Sequence, residues 1–221
     1  MTWIDLKPIN LNKIQRVDFP EDQYYKEIFP KHQICLHHTV GSSVNGAISS
    51  WINDPIKVAT CIIIDRNGIP FQLFSSKYWA HHLGIKSSNN ISLNKKSIGI
   101  EIDNWGQLIP CTNGKYKTYY GNEVNVVAQY YPNEFMGYNY YEKYTNAQIQ
   151  TVGELLLYWN KFYGISLKYN EDMWNKSQNA LNGQNGIWTH VSYRGSGKSD
   201  CHPDPSLIEM LKTLNNQVQN Y

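Results

Sequence analysis

The sequence predicts a single α/β domain, a central β-sheet flanked by helices, on three observations. Short apolar runs of strand character (Gln33–His38, Val58–Ile64, Ser97–Asp103) alternate with segments of helical period. No internal repeat or linker-like stretch separates them. The 221 residues are enough to bury one sizeable core. Hydrophobic residues make up 41% of the chain and charged residues 17%, and much of the polarity comes from Asn, Gln, Ser and 17 tyrosines. A net charge of +2 with no basic run speaks against nucleic-acid binding. No apolar stretch approaches the roughly 20 residues of a membrane span. An aromatic content of 14% with so little net charge is a folding composition rather than a disordered one.

The elements follow in order. Residues 1–30 are polar with scattered apolar anchors and are expected to form an irregular lead-in; they lack the continuous apolar core of a secretion signal. Gln33–His38 is a buried strand ending in histidines. Val44, Ala47, Ile48, Trp51 and Ile52 then recur at helical spacing until Asp54-Pro55 stops them. Val58–Ile64 is a second strand, Asp65-Arg66-Asn67-Gly68 a turn, and Pro70–Phe74 its hairpin partner. In Ser97–Asp103, Ile98, Ile100 and Ile102 share one face, while Ser97, Gly99, Glu101 and Asp103 share the other.

Residues 107–144 carry nine tyrosines, Tyr116 to Tyr144, and are expected to be a long insertion built from a hairpin and an aromatic loop. Thr145 and Gln148 form a capping box ahead of a helix with an apolar stripe of Ile149, Val152, Leu155, Leu156 and Trp159, closed by Gly164. A last helix starts at Asp204-Pro205 and buries Leu207, Ile208, Leu211 and Leu214.

Three segments put ligand-type side chains at the ends of elements: His37-His38, His190, and Lys198-Ser199-Asp200-Cys201-His202. Two imidazoles with a carboxylate or thiolate are a usual catalytic zinc set. The cysteines Cys35, Cys61, Cys111 and Cys201 form no CxxC pair and are expected to be reduced.

Their combination and order resemble a known family. Ile34-Cys35-Leu36-His37-His38-Thr39 is similar to the strand end of the type 2 N-acetylmuramoyl-L-alanine amidases, a family that includes phage amidase lysozymes, cell-wall recycling amidases and peptidoglycan recognition proteins. Further segments agree in order. Ile62-Ile63-Ile64-Asp65-Arg66-Asn67-Gly68 resembles the family's strand and turn, and Trp79-Ala80-His81-His82-Leu83-Gly84 its WHAG segment. Ser97-Ile98-Gly99-Ile100-Glu101 matches SIGIE, and Lys198-Ser199-Asp200 matches the KxD that follows a histidine.

The resemblance implies a mixed central sheet, an amidase domain over residues 31–215, and one zinc ion held by His37, His190 and Asp200. Cys201 is the adjacent alternative to Asp200, which the motif's register favours. Glu101 is implied as general base, the more so because Thr60 stands where family members carry a tyrosine. Lys198 is implied as the cation that stabilises the oxyanion, and His82 (or its neighbour His81) as a substrate contact or a support of the site. His38 is left a supporting residue.

The substrate implied is the amide between N-acetylmuramic acid and L-alanine, in peptidoglycan or in soluble muropeptides. An endolysin-type enzyme, monomeric and cytoplasmic at synthesis, is the leading expectation, with a recycling amidase beside it. A non-catalytic peptidoglycan-binding protein is a third reading, disfavoured because Asp200 and Lys198 both stand. A cysteine hydrolase using Cys61 or Cys201 ranks last, since no nucleophile motif surrounds either residue.

Overall fold

The structure is a computed structural model that describes residues 3, 5–195 and 197–219. Met1, Thr2 and Ile4 of the expected lead-in lie outside these residues. The strands are β1 (Gln15–Arg16), β2 (Gln33–His38), β3 (Ile62–Ile64), β4 (Pro70–Gln72), β5 (Ser97–Ile102), β6 (Gln107–Pro110), β7 (Tyr116–Thr118), β8 (Glu123–Val124), β9 (Ala128–Phe135), β10 (Tyr138–Glu142) and β11 (Gly186–Thr189). The helices are α1 (Val44–Trp51), α2 (Asn90–Lys96), α3 (Asn146–Tyr163), α4 (Gln178–Leu181), α5 (His190–Arg194) and α6 (Pro205–Gln219).

The central sheet has the order β1-β4-β3-β5-β2-β11. Strands β3, β5, β2 and β11 run parallel, while β4 is antiparallel to β3. This is the mixed sheet expected. Every residue of β2 and β5 is buried, as strands covered on both faces must be. Helix α3 packs on β3 and on α6, and α5 packs on β2 and β11. The capping box of Thr145 with Gln148 forms, and Gly164 ends α3 with a left-handed φ of 69°. The predicted stripe of α3 is buried throughout. In α6, Met210 is buried with Leu207, Leu211 and Leu214, while Ile208 is only partly covered.

Two expectations change in detail, and one helix has no counterpart among them. The predicted strand Val58–Ile64 begins only at Ile62, because residues 58–60 pair elsewhere: Ala59 N donates to His81 O, and Thr60 Oγ1 to Ile62 O. Helix α2 carried no clear sequence signal. The lead-in is irregular but packed, since Trp3, Ile9, Phe19 and Tyr24 are buried in the core and β1 pairs with β4. All four cysteines are free thiols.

Residues 107–142 build a second, five-stranded antiparallel sheet of order β8-β7-β6-β10-β9, more regular than a hairpin with a loop. Pro132 sits in β9, an edge strand, where its missing N–H costs no ladder bond. Arg66 ties this sheet to the central one. Its Nε and Nη2 donate to the Glu142 carboxylate at 3.1 and 3.0 Å, and Nη1 pairs with Asp103 just past β5. His202 forms a second tie. It stacks on Tyr141 and Tyr144, its Nε2 donates to Glu142 O at 3.0 Å, and its Nδ1 accepts from Tyr131 Oη at 2.7 Å.

Arg66→Ala leaves the Asp103 and Glu142 carboxylates without their cation, and removing one partner of such a buried cluster costs about 3 kcal/mol. A denaturant midpoint showing a loss below about 1 kcal/mol would contradict this account of how the two sheets are joined.

Candidate metal and catalytic site

Three neighbouring parallel strands deliver the site at their C-terminal ends, the edge where open α/β sheets bind ligands. Strand β2 carries His37, which stands in register with Glu101 of β5. On its other side β11 ends at Thr189, paired with Leu36, so His190 emerges beside His37 as the first residue of α5. Asp200 comes from the following loop, pinned because Val191 N donates to its carbonyl at 3.0 Å.

His37 Nδ1, His190 Nδ1 and an Asp200 carboxylate oxygen converge. The separations are 3.0 Å between the two nitrogens, 2.9 Å from His190 to Asp200 and 3.3 Å from His37 to Asp200. All three side chains are buried.

The remaining ring nitrogens fix where the protons are. His190 Nε2 contacts the Leu83 carbonyl at 3.0 Å, and a carbonyl only accepts, so Nε2 carries a proton and, in the neutral ring, Nδ1 is bare. His37 Nε2 meets His82 Nδ1 at 3.0 Å, His82 Nε2 meets Ser97 Oγ at 2.8 Å, and Ser97 Oγ donates to Asn94 O. Read back from the Asn94 carbonyl, each group accepts from the next, so His37 Nε2 carries the proton and His37 Nδ1 is bare in the neutral ring. Burial, then the neighbouring His190, pushes His37 down to about 4, and burial holds His82 well below its usual value, so both rings are neutral.

Two bare nitrogens and a carboxylate oxygen therefore face one another with no hydrogen among them. Three lone pairs about 3 Å apart repel unless a cation lies between them, and ligand atoms about 2.0–2.1 Å from a tetrahedral zinc stand at about this mutual distance. The residues present fit such an ion. A second trio, Cys35, His37 and His82, also lies close together, but its two imidazoles already share a hydrogen bond and burial pushes the Cys35 thiol up, against the thiolate a metal needs.

The other predicted residues fall as follows. Glu101 is 6% exposed, and burial followed by the charge of Asp200 pushes its carboxyl well up. Lys198 lines the cleft in front of Asp200, close enough for its charge to act on Glu101 and His37. Cys201, the alternative to Asp200, is turned away and meets Tyr144. His38 also faces away, with Nδ1 2.9 Å from Tyr144 Oη. Thr60 spends its hydroxyl on the backbone.

Of the two roles expected for His82, substrate contact or support of the site, its hydrogen bonds favour the second. Both its nitrogens are engaged inside the protein, and its ring lies behind His37. Gly99 makes room for it, because a Cβ there would stand 3.2 Å from His82 Nδ1 and 2.7 Å from Thr60 Cγ2. Sequence reading missed two supports, the Leu83 carbonyl and Asn94, whose Oδ1 accepts from His82 N and Leu83 N at 2.8 and 3.1 Å. Backbone acceptors leave no residue-type signal, and Asn94 sits on the unpredicted α2.

With the geometry in place, comparison with known proteins is informative. The sequence profile of the N-acetylmuramoyl-L-alanine amidases matches residues 29–205. A search of the curated proteins finds no match. Among solved structures, the chain is similar in fold to PlyL (13% identity, 90% of this chain and 96% of the other covered, TM-score 0.51). It is similar to AmpD (16%, 93% and 98%, 0.51). It is also similar to the amidase AmiD from E. coli, described in complex with an anhydro-N-acetylmuramic acid peptide (19%, 84% and 59%, 0.51). The chain belongs to the N-acetylmuramoyl-L-alanine amidase family, and its enzyme class is peptidoglycan amidase.

Calorimetric zinc titration checks the site. Asp200→Ala is expected to abolish tight binding and Cys201→Ala to leave it unchanged. His82→Ala is expected to weaken it about 10–100-fold, the range for loss of a partner that orients a ligand. Equal effects of the Asp200 and Cys201 substitutions would contradict the geometry.

Proposed function

We propose that this amidase is a zinc enzyme of endolysin type, cutting the bond between N-acetylmuramic acid and L-alanine in polymeric peptidoglycan. The observation that carries the reading is the convergence of three unprotonated ligand atoms beside a buried carboxyl group and a lysine. His37 and His190 would hold the metal through Nδ1 and Asp200 through its carboxylate. The catalytic unit would run over about residues 31–215, with the second sheet as its insertion.

A zinc ion bound there supplies Lewis acidity, polarising the scissile carbonyl and making water acidic enough to attack near neutral pH. Glu101 accepts the proton from the attacking water and returns it to the leaving alanine nitrogen. Its raised carboxyl suits that exchange, because a base poised nearer neutrality both takes and gives a proton readily. Lys198 sets its ammonium toward the charge that builds on the carbonyl oxygen. His82 acts at one remove. By accepting from His37 Nε2 it keeps His37 Nδ1 bare, and by donating to Ser97 it stays neutral itself.

The choice of polymer over soluble muropeptide rests on the open cleft in front of Asp200 and Lys198, about 530 Å³ in volume. No helix among the described residues is long and apolar enough to cross a membrane.

Mass spectrometry of digested cell wall is expected to show free stem peptides beginning with L-alanine. Released disaccharides or opened cross-links would refute the bond assignment. Chelation should abolish the activity and added zinc restore it. Glu101→Gln should retain zinc while kcat falls at least about 100-fold, the lower end of what a general base contributes. Full turnover in that variant would remove Glu101 from the role.

A further inference from the structure

The cleft in front of Asp200 does not end at the metal site. It is walled by Tyr119, Tyr120, Met136 and Tyr138 of the inserted sheet and continues past Val40 and Tyr120 into a second hollow of about 320 Å³ floored by Trp105. Val40 and Tyr120 line both, so the two form one groove running from the reacting end outward.

Its chemistry is distinctive. Among the described residues lining it, only Lys198 and Asp200 are charged, and both belong to the reacting end. The rest are aromatic rings and neutral hydrogen-bonding groups such as Gln107, Asn122 and Ser42. Tyr119 and Tyr120 are 61% and 69% exposed, with rings 5.3 Å apart at 83°. Other tyrosines of the insertion are consumed by packing: Tyr141 and Tyr144 are buried, and Tyr131 is bonded to His202. The exposed pair is therefore not needed to hold the sheet together.

The backbone is also held in unusual conformations here. Val40 and Met136, with φ of 52° and 48°, both line the groove, and a β-branched residue enters that region only under constraint from its surroundings. Such constraint gathers at ligand clamps.

We propose that this groove binds the glycan strand of peptidoglycan, with Tyr119 and Tyr120 as its stacking platform. The inference rests on the amidase reading above and names which half of the substrate lies where. The scissile amide joins a neutral sugar to an acid-bearing peptide. An uncharged aromatic groove suits the sugar, whose ring C–H groups carry a partial positive charge toward the negative face of a tyrosine ring. Beyond Lys198 at the reacting end, its described residues present no cation to a carboxylate. A separate cavity of about 330 Å³, which meets the cleft at Gly195, presents Lys86, Lys176 and Arg194 and serves that need. The glycan is thus contacted by the Tyr-rich inserted sheet, which sets a preference for long strands.

The test uses the full chain and peptide-free glycan strands, which contain no bond to cut. Native protein is expected to bind them, and the double variant Tyr119→Ala/Tyr120→Ala to bind about tenfold more weakly. Tyr119→Phe/Tyr120→Phe, which keeps the rings, should retain the affinity. Tyr130→Ala, on the outer edge strand, should retain it too. Unchanged affinity in the double alanine variant, or no glycan binding by native protein, overturns the proposal. So does a loss in that variant confined to free stem peptide. Release of L-alanine peptides by native protein is measured alongside: activity without glycan binding defeats only this inference, whereas no activity defeats the amidase reading itself. Circular dichroism confirms that each variant is folded.

Discussion

The structure depends on where three protons do not go. His190 commits its single ring proton to the Leu83 carbonyl, and His37 commits its own to His82, which is backed by Ser97 and Asn94. What remains is a buried pocket of two ring nitrogens and one carboxylate, an arrangement that costs free energy without a cation and that suits a divalent one. Every nearby device serves that end. Gly99 clears the space for His82, Asn94 holds the backbone at His82 and Leu83, and the Val191–Asp200 backbone bond sets the carboxylate.

Parallel pairing makes the convergence possible. His37 and His190 are far apart in sequence, yet β2 and β11 lie side by side and end at one edge, so their next residues meet there. Glu101 arrives by the same register from the other side. The inserted sheet is joined to the central one by Arg66 with its two carboxylates and by His202 among the tyrosines, and to the loop that carries Asp200 by the Ser199–Gln107 hydrogen bond.

Much of this was legible because it is written in period and residue type. The strand ending in His37, the capped helix at Thr145 and the alternation that places Glu101 follow from side-chain patterns, and the structure forms each of them. Less was legible where backbone atoms or tertiary context decide. Nothing in a sequence marks the Leu83 carbonyl as an acceptor. The doubled His81-His82 could not say which ring lies behind His37, because that depends on the space left by Gly99 across the sheet. The strand expected at Val58 was lost to pairing with His81, a competition invisible locally. The nine tyrosines looked alike in sequence; only the fold separates Tyr141 and Tyr144, which pack, from Tyr119 and Tyr120, which face the groove.

X-ray absorption at the zinc edge of the loaded protein tests the central claim most directly, because it reads the atoms around the metal. Ligation by His37, His190 and Asp200 predicts a shell of nitrogen and oxygen alone at about 2.0–2.1 Å. A sulfur neighbour at about 2.3 Å would place Cys35 or Cys201 on the metal and contradict the proton arrangement from which the site has been built.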